Sequence, residues 1–215
     1  MKIKWLGHAS FLLTSEGGTR VICDPYSCGG GIDYGAIQES AEVVTVSHKH
    51  GDHDNAAAVR GKPEVVDVPG TKTAKGMEFK GVPTYHDEAR GKQRGENIVF
   101  CFSTDGIRIC HLGDLGHELD GGQLGAIGGV DVLLCPVGGF YTVDARVAAG
   151  VCEMIGPKVV IPMHYKTRKC GYPIAGVEDF LKGRKNVRRI KGSEVEIKKD
   201  QLPAATETLV LEPAL

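Results

Sequence analysis

Short apolar runs separated by glycine-rich turns dominate the first half of the chain. Each run is four or five residues long and rich in aliphatic side chains, which is typical of β-strands bounded by turns. Glycine supplies 30 of the 215 residues, so many of the connections are expected to be tight. The predicted strands of this half are Ile3–Leu6, Ser10–Thr14, Arg20–Cys23, Val43–Val46 and Glu64–Val68.

The clearest helical pattern lies in the second half, from Thr142 to Ile155, where apolar residues recur at intervals of three and four. Thr142 is a suitable N-cap, and Gly156 followed by Pro157 is a suitable end. Shorter helical segments are predicted near 54–60, where Asp or Asn could cap, and near 119–127. The predicted strands of this half are Ile98–Phe102, Ile107–Leu112, Val132–Cys135 and Val159–Ile161.

The two halves repeat the same alternation of strands, turns and helices. Sheets with helices outside them, in two similar halves, predict a four-layer αββα sandwich of the α/β class. The chain of 215 residues is long enough for one well-buried core, and no low-complexity linker interrupts it. We therefore expect a single domain covering residues 1–215.

Composition excludes several classes of protein. The 26 Lys and Arg nearly balance the 27 Asp and Glu, which gives no reason to expect a nucleic-acid partner. The basic run 182–189 is a local exception, and most such runs are solvated surface. No window approaches the ~18 apolar residues of a membrane span, and no apolar leader precedes the first strand. The seven cysteines form no Cys-x-x-Cys pair, which favours reduced core residues of a cytoplasmic protein.

The densest group of reactive side chains is the run Ser47–Asp54, which reads SHKHGDHD. His48 and His50 are two residues apart, so at the end of a strand both imidazoles would leave the same face and could bind one cation. Asp52 and His53 follow where the chain turns, and they would face a second cation beside the first. The run therefore predicts half of a two-metal site.

Three further candidate ligands each lie where a strand-like stretch gives way to a loop: His86 follows 82–85, Asp114 follows 107–113 and His164 follows 159–163. Strand ends are the usual place for reactive groups held by a rigid scaffold, although a single histidine there is more often a surface or hydrogen-bonded residue. His111 competes with His86 for the same role. It lies three residues before Asp114, and an odd separation along a strand points two side chains to opposite faces. We therefore favour His86.

In this order the motifs resemble the metallo-β-lactamase superfamily of metal-dependent hydrolases, over nearly the whole chain. The superfamily pattern is an early Asp, here Asp24, then His-x-His-x-Asp-His, and then His, Asp and His. The sequences WLGHAS at 5–10, GDLG at 113–116 and PMHY at 162–165 are similar to a compact branch of L-ascorbate-6-phosphate lactonases and uncharacterised Zn-dependent hydrolases. The resemblance implies the metallo-β-lactamase fold.

The resemblance also implies two divalent metal ions held by seven side chains. The expected ligands are His48, His50 and His86 for the first ion, Asp52, His53 and His164 for the second, and Asp114 as a bridge between them. Asp24 would orient these histidines rather than bind metal. Ligands of this kind suit Zn²⁺, while Mn²⁺, Fe²⁺ or Ni²⁺ could occupy the same set.

Two such ions about 3.5–4 Å apart can activate a shared water as hydroxide. The expected function is therefore hydrolysis of a small ester, lactone or phosphodiester. The candidate catalytic residues are Asp52, His8, His117 and Tyr141, with Tyr165 and Lys166 as further proton donors to the leaving group. The turn Gly138–Gly139 and the cationic stretch 90–96 hint at an anionic small-molecule substrate.

Other functions stay open at the level of sequence. A di-iron redox enzyme of this fold would carry a carboxylate in place of His50 and an additional flavin-binding domain, for which 215 residues leave no room. An RNA-processing nuclease would carry an inserted domain, and the balanced charge disfavours it. A module that binds metal without turnover is not excluded. Neither the natural substrate nor the oligomeric state follows from the sequence.

Overall fold

The computed structural model describes residues 1–215, with fourteen strands, three α-helices and two short 3₁₀ turns. The strands are β1 (Lys2–Gly7), β2 (Ser10–Thr14), β3 (Arg20–Cys23), β4 (Val43–Thr45), β5 (Glu64–Val66), β6 (Gly70–Ala74), β7 (Met77–Tyr85), β8 (Glu96–Thr104), β9 (Ile107–His111), β10 (Val132–Pro136), β11 (Val159–Met163), β12 (Val187–Arg189), β13 (Glu194–Glu196) and β14 (Glu207–Val210). The helices are α1 (Gly121–Ile127), α2 (Ala145–Ile155) and α3 (Glu178–Leu181), and the 3₁₀ turns are Ala56–Ala58 and Lys199–Gln201.

The strands form two sheets. The first has six strands in the order β13-β1-β2-β3-β4-β5, and the second has eight in the order β12-β14-β11-β10-β9-β8-β7-β6. Strand β13 comes from the second half of the chain but pairs with β1, while β6 and β7 come from the first half but join the second sheet. The two halves of the chain therefore do not each form one sheet.

Alternating side chains of the first sheet enter two different apolar clusters. Ile3 and Trp5 belong to a core of 45 buried residues that includes side chains of both sheets, so this core lies between them. Ile22 and Val44 instead belong to a separate cluster of 12 buried residues on the outer face of the first sheet. Strands buried on both faces have nearly continuous apolar sequences, which is why the strand signal was strong.

The predicted α/β sandwich is confirmed, and its two outer layers differ in kind. Helix α1 contacts β7 and α2 contacts β10, so these helices cover the second sheet. The outer face of the first sheet is covered mainly by loop residues such as Tyr26, Ile32 and Tyr34. None of the helices is long and apolar enough to cross a membrane.

One boundary of α2 differs from the sequence prediction, and the other agrees with it. The N-cap of α2 is Asp144, whose side chain accepts a hydrogen bond from the Val147 N–H at 2.8 Å, so the prediction of Thr142 was wrong. Aspartate offers a charged acceptor at the positive end of the helix, which stabilises this boundary. The end at Gly156 is confirmed, since this residue adopts the left-handed conformation with φ of 62°.

The predicted helix at 54–60 is only the 3₁₀ turn Ala56–Ala58. The side chain of Asn55 does not cap this turn and donates to the Tyr26 carbonyl at 3.2 Å. The Asn55 side chain therefore bonds to the loop that follows β3 instead of capping a helix.

The cysteines and the basic run 182–189 take the places that the sequence predicts for them: the cysteines lie mainly in the core, and the basic run lies at the surface. Six of the seven cysteines are buried, all seven are reduced, and only Cys28 is exposed. Along the basic run 182–189, Lys182, Arg188 and Arg189 form ion pairs with nearby carboxylates at 2.6–3.0 Å. Three of the five basic residues of this run are therefore paired at the surface, and the other two, Arg184 and Lys185, are not.

Candidate metal centre

Strand ends converge at one edge of the sandwich and carry the predicted ligands. In parallel strands the carboxyl ends lie on the same side, and β9, β10 and β11 are parallel, as are β3 and β4. The residues that follow these and neighbouring strands are His8 after β1, Asp24 after β3, His48 after β4, His86 after β7, Asp114 after β9 and His164 after β11.

The side chains form three groups in which all ligand atoms lie within 4.8 Å of one another, and one of these, Asp24 with His48 and His53, joins members of the other two. The open histidine group consists of His48, His50 and His86, and the buried ligand group consists of His8, Asp52, His53 and His164. Each of these two groups contains the three residues expected for one metal ion, apart from the bridging aspartate. His8 is an addition, since the sequence placed it at the edge of the cleft rather than among the ligands.

The carboxylate of Asp114 lies between the two groups. Its Oδ2 atom is 3.2 Å from His86 Nε2, 3.2 Å from His53 Nε2 and 3.3 Å from His164 Nε2. Asn97 fixes the backbone here, because its Oδ1 atom accepts the Asp114 N–H at 2.9 Å. Asp114 is therefore placed as a bridge would be.

The charges around Asp114 favour its ionised form. Burial disfavours the charged carboxylate, but His164 and His53 outweigh that effect and hold the pKa of Asp114 well below its usual range. The reverse holds for His53, for which burial is outweighed by Asp114 and Asp24, and its pKa is raised well above the usual value. The carboxylates of Asp114 and Asp24 therefore favour a positive charge at the centre of the cluster.

A hydrogen-bond chain centred on Asp24 orients one histidine of each group. His53 Nδ1 donates to Asp24 Oδ2 at 2.9 Å, and Ser47 Oγ donates to the same oxygen at 2.5 Å. Ser47 Oγ in turn accepts from His48 Nδ1 at 2.9 Å. The Ser47 N–H donates to Asp24 Oδ1 at 2.8 Å, which ties the histidine-rich loop to β3. Both imidazoles therefore present Nε2 to the interior.

These residues fit divalent metal ions. The Nε2 atoms of His48 and His53 are buried and have no hydrogen bond, although His53 Nε2 lies close to Asp114. Burial lowers the pKa of His48 to about 3 and that of His8 to about 4, so both rings are neutral near pH 7. Neutral imidazole and carboxylate, without thiolate, are ligands of zinc and of other first-row metals.

The backbone is strained at three positions of the cluster. His8, Asp24 and His164 have positive φ values of 52°, 43° and 50°, which side chains other than glycine adopt at a cost. Gly138 packs so closely under His164 that a Cβ atom at this position would lie 2.2 Å from the His164 carbonyl oxygen. Strain and close packing therefore fix the direction of these side chains.

A cavity of about 320 Å³ opens onto both groups. Its lining residues are His50, Asp52, His86, Gln93, Arg94, Asp114, Tyr141, His164 and Tyr172. Tyr141 and Asp52, two of the candidate catalytic residues, thus line this cavity. His8 is fully buried and contacts the cavity through Asp52, since its Nε2 lies 3.2 Å from Asp52 Oδ2.

The structure does not bring His117 to this cavity. Its Nε2 accepts the Tyr85 N–H at 3.1 Å, and its Nδ1 donates to the Glu118 carbonyl at 2.7 Å. Both ring nitrogens are thus occupied by backbone groups, and this position gives no support to the predicted catalytic role.

The remaining alternatives also hydrogen-bond to the backbone. His111 is buried, donates to the Ala9 carbonyl at 2.8 Å and accepts the Gly113 N–H at 3.1 Å, so it does not compete with His86. The Tyr165 hydroxyl donates to Leu211 and the Lys166 ammonium donates to Tyr172, in each case to the carbonyl oxygen.

The sequence analysis missed several residues of the site. The Tyr172 hydroxyl donates to Asp52 Oδ2 at 3.3 Å, and burial together with this carboxylate raises the pKa of Tyr172, so the phenol stays protonated. No motif surrounds Tyr172, so no local signal could have identified it. Asn97 could have been noticed, because it is a buried amide at the start of the apolar run IVFCF.

Comparison with known proteins gives a consistent family. The model of the Beta-lactamase superfamily domain matches residues 2–164. A UPF0173 metal-dependent hydrolase of Archaeoglobus fulgidus is 32% identical over 92% of this chain and 94% of its own length. A similar protein of Methanospirillum hungatei is 34% identical over 78% of this chain and 84% of its own length.

A solved structure agrees with the sequence relatives. A Thermotoga maritima protein, described as a candidate Zn-dependent hydrolase of the metallo-β-lactamase superfamily, is 40% identical and covers 98% of both chains with a TM-score of 0.82. Family model, sequence relatives and fold thus coincide with the strand-end cluster of His and Asp. The chain belongs to the metallo-β-lactamase superfamily.

Proposed function

We propose that this protein is a metal-dependent hydrolase that holds two divalent metal ions, by default Zn²⁺, and cleaves a small ester, lactone or phosphodiester. The observation that carries the proposal is the position of Asp114 between the open histidine group and the buried ligand group. One carboxylate between two groups of ligand-type side chains suits a pair of cations. The substrate would be a small molecule, and an anionic one suits the site.

The residues would divide the work as follows. The open histidine group would hold one ion, Asp52, His53 and His164 the other, and Asp114 would contact both. When bound, such ions supply an activated water and polarise the substrate oxygen. Asp24 keeps His53 in the tautomer that presents Nε2, because it accepts the Nδ1 proton.

The tyrosines of the cavity supply donors for the leaving group. The Tyr141 hydroxyl lines the cavity without a hydrogen-bond partner in the protein, and Tyr172 keeps its phenolic proton next to Asp52. Hydrolysis adds water across the scissile bond, so the leaving oxygen must gain a proton as the bond to carbon or phosphorus breaks. Tyr141, which lines the cavity, would donate a hydrogen bond to that oxygen.

The decisive experiment combines metal analysis with a substrate panel. We expect about two equivalents of metal per chain by elemental analysis, and metal-dependent hydrolysis of simple esters, lactones or phosphodiesters. Asp114→Asn should lower hydrolysis by more than the ~100-fold typical of losing an outer hydrogen-bond partner of a metal site.

His117→Gln is the matched control, since His117 lies outside the cavity, and it should keep both metal and activity. Two bound ions without turnover on any substrate would favour the non-catalytic module. Iron with redox-active spectra would favour the redox enzyme. One equivalent of metal or none, in correctly folded protein supplied with excess metal, would contradict the two-metal proposal.

A further inference from the structure

Arg94 lies between two cavities at the metal centre. It lines the 320 Å³ cavity described above and also a second cavity of about 480 Å³. His50 is the only other residue that lines both. A ligand that extends from one cavity to the other therefore passes the Arg94 side chain and the exposed edge of the open histidine group.

The guanidinium of Arg94 has no partner in the protein. No carboxylate lies within ion-pair distance, and its side chain makes no hydrogen bond. The other cation of the second cavity, Lys49, is instead paired with Asp67 at 2.8 Å and with Asp54 at 3.4 Å. A partly buried arginine with free N–H groups in a cavity is available to a ligand, whereas the charge of Lys49 is already used.

The loop that carries Arg94 is held in place by the side chain of Asp87. The carboxylate of Asp87 accepts backbone N–H bonds from Ala89, Gly91, Gln93 and Arg94 at 2.7–3.0 Å. The guanidinium carbon lies 5.7 Å from the centre of the Tyr141 ring, within reach of a cation–π contact. The loop therefore orders the Arg94 backbone without consuming any of the side-chain donors.

We propose that Arg94 binds an anionic group of the substrate, a carboxylate or a phosphate-like group, that is separate from the bond being cleaved. This inference rests on the proposed hydrolase function and specifies its substrate class: a small ester or lactone that carries a negatively charged group which takes no part in the reaction. The planar guanidinium can donate two parallel hydrogen bonds to such a group and so fix the orientation of the substrate.

The test uses three esters with the same scissile bond that differ only in an appended group: a carboxylate, a non-hydrolysable phosphonate or a neutral amide. The wild-type protein should prefer a charged ester, and the better of the two identifies the group. Arg94→Gln should raise KM for the charged esters about tenfold or more while leaving kcat/KM for the neutral ester within about twofold. Arg94→Lys should restore only part of the preference, because lysine lacks the two-pronged geometry.

Lys92→Gln is the matched control, because Lys92 is exposed on the same loop and outside both cavities, and the change removes the same charge. It should leave the preference unchanged. Equal losses on charged and neutral esters in Arg94→Gln would overturn the inference, and so would an equal loss of preference in Lys92→Gln.

Failure of the hydrolase proposal can be distinguished from failure of the Arg94 proposal. If the wild-type protein cleaves none of the esters, calorimetric binding of the same three compounds still tests Arg94. Tighter binding of a charged compound that is lost in Arg94→Gln but kept in Lys92→Gln would support the anion site. Equal binding of all three compounds to the wild-type protein would overturn it.

Discussion

His50 of the open histidine group is exposed at the mouth of the cavity, whereas His53 of the buried ligand group is inaccessible to solvent and donates to Asp24. The difference extends to the other members. Asp52 is contacted by His8 and Tyr172, and the open histidine group has no carboxylate with such contacts; each group contains a histidine, His86 or His164, whose Nδ1 atom has no hydrogen-bond partner. The two groups contain similar ligand-type side chains, but more hydrogen bonds orient those of the buried ligand group.

This inequality has consequences for metal binding. Hydrogen bonds to the outer face of a ligand fix its orientation and raise its basicity, and their loss typically costs 10–100-fold in metal affinity. Two such contacts from outside, to Asp24 and from Tyr172, support the buried ligand group, which also has an internal bond between His8 and Asp52, whereas only the bond from His48 to Ser47 supports the open histidine group. We therefore expect the buried ligand group to hold its ion more tightly.

The largest effect is expected from Asp24→Asn. The change removes the charged acceptor of His53 Nδ1, so the affinity of the buried ligand group should fall by about 100-fold, measured by competition with a chelator. Ser47→Ala is the paired variant. It removes the acceptor of His48 Nδ1 and should therefore lower mainly the metal affinity of the open histidine group. Circular dichroism of the metal-free variants should show that both are folded. Equal weakening of both ions by Ser47→Ala would remove the distinction between the groups.

A smaller effect should appear when the wild-type protein is titrated with chelator. Metal should leave in two steps, with the ion of the open histidine group released first and an affinity difference of about tenfold or more. His50→Ala should abolish only the first step, as measured by elemental analysis of the remaining metal. Loss of both ions in a single step would contradict this prediction. It would indicate that Asp114 couples the two ions so strongly that the difference in hydrogen bonding between the groups does not separate their affinities.

The smallest effect is expected from Tyr172→Phe, which removes one hydrogen bond to Asp52. Loss of a hydrogen bond to a charged group costs about 1.5–3 kcal/mol at most sites, and partial exposure of Asp52 reduces this toward the lower end. The ion of the buried ligand group should therefore bind up to about tenfold more weakly, as seen in the second step of the chelator titration. A change confined to the first step would contradict the assignment of Tyr172.

Much of the candidate site could be predicted from the sequence, because most of its residues lie close to recognisable strands. Asp114 and His164 follow apolar runs, and the run 48–53 is dense in ligand-type residues, whereas His86 follows only the short stretch 82–85 and was identified by its place in the superfamily pattern. The roles of these residues as ligands stay predictions until metal is measured. The hairpin of β6 and β7 and the pairing of β13 with β1 were not predicted, because these strands are short or polar and depend on distant partners.

The sequence by itself determined the α/β class and which residues are candidate ligands, since both follow from local patterns: apolar runs, turns and a histidine-rich motif. Only the tertiary structure decided that His8 joins the buried ligand group, that Tyr172 bonds to Asp52 and that His117 lies apart. The physical reason is distance along the chain. Residue 8 meets residue 52, and residue 172 meets the same carboxylate, through strand ends and loops whose convergence is set by packing of the two sheets rather than by any neighbouring residue.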